Sequence, residues 1–216
     1  MSRLFYHLTK LFFYLSLKIY NRLRIIGRER IPREGQVMVI ANHSSNLDPI
    51  VVGVAFPGRL RYLAKSELFL NPLLGFLIRI LGAIPVSKET SQSAGTALKA
   101  FLSLLERGEN ILIFPEGARS FDGRLQPLEG GAALIAYRTG VPVIPAYVAG
   151  TFESMPRGSS LVRPSSITIT FGEPLYPESI ASGLPAREAR QEIIKGMSEA
   201  LKGLEAEHSS KRKGRN

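Results

Sequence analysis

Apolar positions along the chain follow two rhythms. The runs VMVIA (37–41), NILIF (110–114) and VPVIPAYVAG (141–150) are apolar almost throughout, as expected of strands buried on both faces. SITITFGEPL (166–175) alternates, and RLRYLAK (59–65) and AIPVS (83–87) read as further short strands. Between them lie segments with helical spacing: DPIVVGVAF, NPLLGFLIRILG, SAGTALKAFLSLLERG, GGAALIAYRTG and PAREARQEIIKGMSEALKGLEAE. Asp48 stands where an N-cap belongs, with Pro49 at the first helical position. Gly108 is a helix stop, and Pro185 opens the last helix. Strands alternate with helices throughout, which predicts an α/β fold: a mixed, largely parallel sheet covered by helices. No internal repeat or linker divides the body.

The first residues differ. MSRLFYHLTKLFFYLSLKIYNRLRII interleaves Leu, Phe, Tyr and Ile with Arg and Lys. Its longest stretch without a base, LFFYLSL, is far below the roughly 20 apolar residues of a membrane span. No small-residue cleavage site follows it, as a signal peptide would need. Residues 1–26 therefore read as an amphipathic membrane-associating helical segment, with apolar bulk at the acyl boundary and bases at the headgroups. An amphipathic helix packed on its own domain is the other reading. A nucleic-acid arm fits poorly with so much Leu and Phe, and no nucleic-acid partner is expected.

Charge sharpens this picture. The 216-residue chain carries a formal net charge of +10. Residues 1–33 hold eight Lys or Arg against Glu29 alone, and the ending KRKGRN holds four more bases. The excess lies at the two ends, leaving a body close to neutral. The expected organisation is a membrane-associating segment at 1–26, a main body at 27–208 and a basic tail at 209–216. The chain has no Cys, which excludes a disulfide framework, a zinc–thiolate site and a cysteine nucleophile.

Two strand ends carry candidate chemistry. NHSSNLD (42–48) follows the strand VMVIA, and ligands of open α/β sheets bind beyond the carboxyl ends of strands. His43 and Asp48 are five residues apart, too far round a continuous helix to meet, but a loop separates them. Asp48 either orients His43 as a base or simply caps the helix beside a polar loop histidine. The other two histidines, His7 and His208, lie near the chain ends. There is no G-x-S-x-G elbow and no metal-ligand spacing, so a working His43 activates a substrate hydroxyl rather than an enzyme nucleophile. FPEGARS (114–120) places Glu116, Gly117 and Arg119 in the loop after another strand. Arg119 can grip a phosphate or carboxylate through paired hydrogen bonds, and Gly117 allows close backbone approach. A surface Glu116–Arg119 ion pair is the alternative. GAIPVSK (82–88) ends a third strand with Lys88. LEGGAAL lacks the Lys and Ser/Thr of a nucleotide phosphate loop.

Together these stretches resemble the glycerolipid acyltransferase family, of the 1-acyl-sn-glycerol-3-phosphate acyltransferase type. Its four blocks recur in order: N-H-x-x-x-x-D as NHSSNLD, G-x-x-F-I-x-R as GAIPVSK, F-P-E-G-T-R-S as FPEGARS, and V-P-V-I-P as VPVIP (141–145). The segment AKSELF (64–69) is also similar. The resemblance covers roughly residues 25–175. Pro85, Lys88, Ala118 and Glu129 depart from the common pattern.

The resemblance implies a membrane-associated enzyme at the cytoplasmic face. It would move a fatty acyl group from acyl-CoA or acyl-carrier protein to the sn-2 hydroxyl of lysophosphatidic acid, giving phosphatidic acid, without a cofactor. His43 would be the general base and Asp48 its orienting partner. Arg119 and Lys88 would hold the acceptor phosphate, and Glu116 and Gly117 would shape that pocket. Its partners would be membrane phospholipid and the lysophospholipid substrate. The alternatives are the same chemistry on another lipid acceptor, a thioesterase, or a non-catalytic membrane-associated binding protein.

Overall fold

The computed structural model describes residues 3–86, 94–159 and 161–213. Seven strands form one sheet in the order β1 (Arg24–Ile26), β7 (Thr168–Phe171), β6 (Val143–Ala149), β2 (Met38–Ala41), β5 (Asn110–Ile113), β3 (Leu60–Lys65), β4 (Ala83–Val86). Every pairing is parallel except β6 with β7. This is the expected mixed, largely parallel sheet.

Side chains along the central strands alternate between two cores. Val39 and Ala41 of β2, Leu112 of β5 and Ile144 and Ala146 of β6 face one helical layer. That layer holds α1 (Arg3–Tyr20), α2 (Asp48–Ala55) and α3 (Pro72–Ile80). Met38, Ile40, Ile111 and Ile113 face the other layer. It is built from α4 (Ala94–Glu106), α5 (Gly131–Thr139) and the long α8 (Ala186–Lys213), whose Ile193, Met197 and Leu201 are buried. Burial on both faces is why β2 and β5 read as unbroken apolar runs. Two short helices, α6 (Thr151–Ser154) and α7 (Pro177–Ala181), complete the chain and have no counterpart in the sequence reading.

The ends of the chain differ from expectation. The N-terminal helix stops at Tyr20, and residues 24–26 form edge strand β1, paired in parallel with β7. A boundary at 26 therefore cuts through the sheet. Leu17 and Leu23 are core residues, so the segment is joined to the body by packing as well as by chain. At the other end, α8 runs on to Lys213, so the basic tail begins as helix.

The first helix has two different faces. Thr9, Phe13 and Leu17, four residues apart, pack inward. Leu4, Leu8, Leu11, Phe12, Leu15 and Ile19 remain exposed. Lys10 and Lys18 bind backbone carbonyls of their own domain, at Phe56 and Gly58 and at Leu23, instead of extending outward as expected of headgroup ligands.

Candidate active site

Strands β2 and β5 are parallel neighbours, so the loops that follow them emerge side by side. This brings NHSSNLD against FPEGARS. The first residue of the loop extends the sheet with its side chain: Asn42 Nδ2 donates to the Val148 carbonyl, and Asn42 Oδ1 accepts from Val148 N–H. A side-chain amide thus replaces a peptide unit just where β2 ends, and fixes the starting point of His43.

Asp48 is fully buried, and its carboxylate turns back over the loop that precedes it. Oδ2 accepts from the N–H groups of Ser44 and Ser45, each at 2.7 Å, and lies 2.9 Å from His43 Nδ1. Three donors on one oxygen suit a carboxylate anion. No side-chain hydrogen bond caps α2, so the reading of Asp48 as a simple helix cap does not hold. Ser45 supports the turn by donating to the Met155 carbonyl and accepting from Leu47 N–H.

The imidazole is held on a second side. The Phe114 ring stacks on it with centroids 4.1 Å apart and planes inclined by 20°. With Nδ1 given to Asp48, the tautomer that places its hydrogen there leaves Nε2 as the basic nitrogen. Nε2 has no hydrogen-bond partner among the described residues, and the side chain keeps 18% of its surface exposed. The arrangement is that of an oriented base facing outward.

Glu116 turns toward the loop of His43 and not toward Arg119. Its carboxylate accepts from His43 N–H at 2.6 Å and from Gln126 N–H at 2.8 Å, and the side chain is buried. Burial pushes its carboxyl up to about 7, against those two donors, and the charges of Asp48 and Glu205 add to the rise. Glu116 is therefore a brace between the two loops, and no Glu116–Arg119 ion pair forms among the described residues. A return bond, from Ser120 N–H to the His43 carbonyl at 2.8 Å, closes the brace.

Gly117 has φ +70, and a Cβ there would fall 2.3 Å from Glu129 Oε1. The position is closed to a side chain by Glu129 packed beside it. Arg119 is half-buried, and its guanidinium makes no ion pair among the described residues. Burial and then the charge of Arg157 lower its hold on its proton, while Asp48 opposes them. Arg157 itself donates to the Arg119 carbonyl at 3.3 Å and lies over the Phe121 ring. Lys88 lies outside the described residues. His43, Asp48 and Glu116 come together, Gly117 follows Glu116 in the same loop, and Arg119 lies near enough to feel the charge of Asp48. Phe114, Asn42, Gln126 and the Ser44 and Ser45 amides join them. Phe114 and Asn42 lie inside the quoted motifs, but nothing local reveals what they touch.

Known proteins share this architecture. The crystal structure of the 1-acyl-sn-glycerophosphate acyltransferase from Thermotoga maritima matches 93% of this chain and 80% of its own, with a TM-score of 0.75 at 26% identity. A chloroplastic 1-acyl-sn-glycerol-3-phosphate acyltransferase of Brassica napus is 32% identical over 198 residues, covering 90% of this chain and 57% of its own length. The 1-acyl-sn-glycerol-3-phosphate acyltransferase of Bacillus subtilis is 28% identical over 190 residues, covering 88% and 91%. The chain spans about half the length of the plant relatives it matches. The family model described as Acyltransferase matches residues 22–149, a stretch that runs from β1 to the end of β6 and includes both loops of the site. On that match, the chain belongs to the acyltransferase family.

Proposed function

We propose that this protein transfers a fatty acyl group from an acyl thioester to the free hydroxyl of lysophosphatidic acid, giving phosphatidic acid. The observation that carries the reading is the bond of His43 Nδ1 to a fully buried Asp48, with Nε2 left open at the carboxyl ends of β2 and β5. The names and coverage of the Bacillus and Thermotoga relatives support the choice of substrate.

The geometry supports the following chemistry. Nε2 takes the proton of the acceptor hydroxyl as its oxygen attacks the thioester carbonyl. Asp48 stabilises the imidazolium that forms. Collapse of the tetrahedral intermediate expels the thiolate, which recovers the proton from Nε2. No covalent enzyme intermediate is required. Arg119 supplies a cationic fork for the acceptor phosphate, and Lys88 is its proposed companion. Acyl-CoA or acyl-carrier protein serves as donor.

The acceptor resides in a lipid surface, and we assign the exposed apolar face of α1 to that contact. Among the described residues no helix is long and apolar enough to cross a membrane. Phe5 of α1 lies 5.8 Å from Phe76 of α3, and both are exposed, so the two helices form one apolar ridge. A ridge of this kind suits an interfacial position at the cytoplasmic face.

The test is an acyl-transfer assay with purified protein and a long-chain acyl thioester. Lysophosphatidic acid is compared with lysophosphatidylcholine, lysophosphatidylglycerol and water as acceptors. Transfer to lysophosphatidic acid is expected to exceed the others by at least about tenfold, since a dianionic phosphate gains most from a charge-assisted fork. Hydrolysis alone, or equal transfer to all lysolipids, contradicts the reading.

A further inference from the structure

A second cluster of charge lies at the opposite ends of the strands. Where β2, β3 and β5 begin, far from His43, an open cleft of about 540 Å3 is lined by Arg28, Glu29, Arg33, Phe56, Gly58 and Asn110. Lys10 and Arg59 stand at its rim. Lys10 Nζ donates to the carbonyls of Phe56 and Gly58, and Tyr6 OH donates to the same Gly58 carbonyl at 3.0 Å. The Arg59 guanidinium lies 5.4 Å from the Tyr6 ring centre, and the Lys10 ammonium lies 5.8 Å from it.

None of these cations is matched by a carboxylate. Among the described residues, Lys10, Arg28, Arg33 and Arg59 form no ion pair. Arg59 Nε is buried with no hydrogen-bond acceptor. The neighbouring Arg61 is paired with Glu109 at 2.7 Å, so that carboxylate is already engaged. Glu29 is the single acid lining the cleft. The crowding is felt by Lys10, whose proton affinity falls to about 8 through burial first and the Arg28 charge second. Lys10 and Arg59 are half-buried and Arg28 and Arg33 exposed, a concentration of like charge that the proposed reaction does not use.

The position of the cleft says what anion it meets. The helix that carries Tyr6 and Lys10 on its inner side exposes Leu4, Leu8 and Leu11 on its outer side. One turn of α1 therefore presents an apolar face to a lipid surface and cations to the cleft beside it. The catalytic loops leave the other ends of the same strands, so the cleft is separated from His43 by the length of β2. We propose that this cleft binds the phosphate of an anionic phospholipid headgroup while the α1 ridge lies in the bilayer surface. The proposal rests on the membrane contact assigned above and not on the reaction.

The test measures binding of the full-length protein to sedimented vesicles at constant salt. Vesicles are phosphatidylcholine alone or phosphatidylcholine mixed with phosphatidylglycerol. The variant is Arg28→Gln/Arg33→Gln, at two exposed positions, with folding checked by thermal unfolding. The control, Arg138→Gln/Arg187→Gln, removes the same charge from the opposite face. The wild type is expected to prefer anionic vesicles by about tenfold, from the contribution of each basic residue near such a surface. The variant should lose most of that preference, bind phosphatidylcholine as the wild type does, and keep its transfer rate in neutral micelles. The control should keep the preference. Retained preference in the variant, or equal loss in the control, overturns the proposal. So does release of the protein from anionic vesicles by saturating coenzyme A, which would make the cleft a site for a soluble phosphate ester. Failure of the wild type to bind any vesicle would instead contradict the membrane contact.

Discussion

Asp48 Oδ2 lies 2.9 Å from His43 Nδ1 and 2.7 Å from the amide nitrogens of both Ser44 and Ser45. One carboxylate oxygen therefore holds both the ring and the loop that carries it. Replacing His43 by Ala should lower the transfer rate by about 10²–10⁴ with little change in stability, because the ring is partly exposed and its backbone bonds persist. Asp48→Asn is the sharper substitution. It keeps the shape but offers an amide where three donors converge, so both rate and stability should fall. Full activity of Asp48→Asn in steady-state assays would remove Asp48 from the mechanism.

Arg119→Lys keeps the charge and loses the fork. The acceptor Michaelis constant should rise by about tenfold, the worth of one charge-assisted hydrogen bond. The constant for the acyl donor should stay nearly the same. Equal change in both, measured by varying each substrate at saturating levels of the other, would place Arg119 outside the acceptor pocket.

Glu116 predicts a pH dependence of stability. Its carboxyl is raised to about 7, above the ordinary carboxylate value. The folded state therefore holds a proton that the unfolded chain has released. The stabilisation this brings is fully present below the ordinary carboxylate range and is lost as pH rises through about 7. Urea unfolding of the wild type and of Glu116→Gln should show it: the wild type should lose stability relative to the variant across that interval. Parallel pH curves would mean that Glu116 titrates normally.

The outer face of α1 can be tested without removing the helix. Deleting residues 1–26 would strip away β1 and the core residues Leu17 and Leu23, so point substitutions are the cleaner probe. Leu8→Glu/Phe12→Glu should abolish binding to phosphatidylcholine vesicles and leave the fold intact, since both positions are exposed. Activity on vesicle-borne acceptor should collapse while activity on monomeric short-chain acceptor survives. Burial of each large apolar side chain contributes at most roughly 1.5–3 kcal/mol, and salt does not screen it. Wild-type binding should consequently weaken in high salt without disappearing.

Most of the order of strands and helices, the two-sided burial of the central strands and the motif residues of the site were legible in the chain; β1, α6 and α7 were not. The legible features depend on periodicity and on short spacings, and both are local. What the tertiary structure alone decided is long-range. Whether Asp48 caps α2 or turns back to His43 depends on the path of residues 44–47, since either role uses the same five-residue spacing. Glu116 meets the His43 amide across 73 residues only because β2 and β5 are adjacent and parallel. Strand β1 is three residues long, too short to show a period, and exists because β7 offers it an open edge. Lys10 looked like a headgroup ligand in a basic, apolar helix, yet the packing of α1 on α2 turned it toward the carbonyls of Phe56 and Gly58. A sequence pattern reports which faces are buried; which buried faces meet is fixed by strand order and helix docking, and neither is written in any one segment.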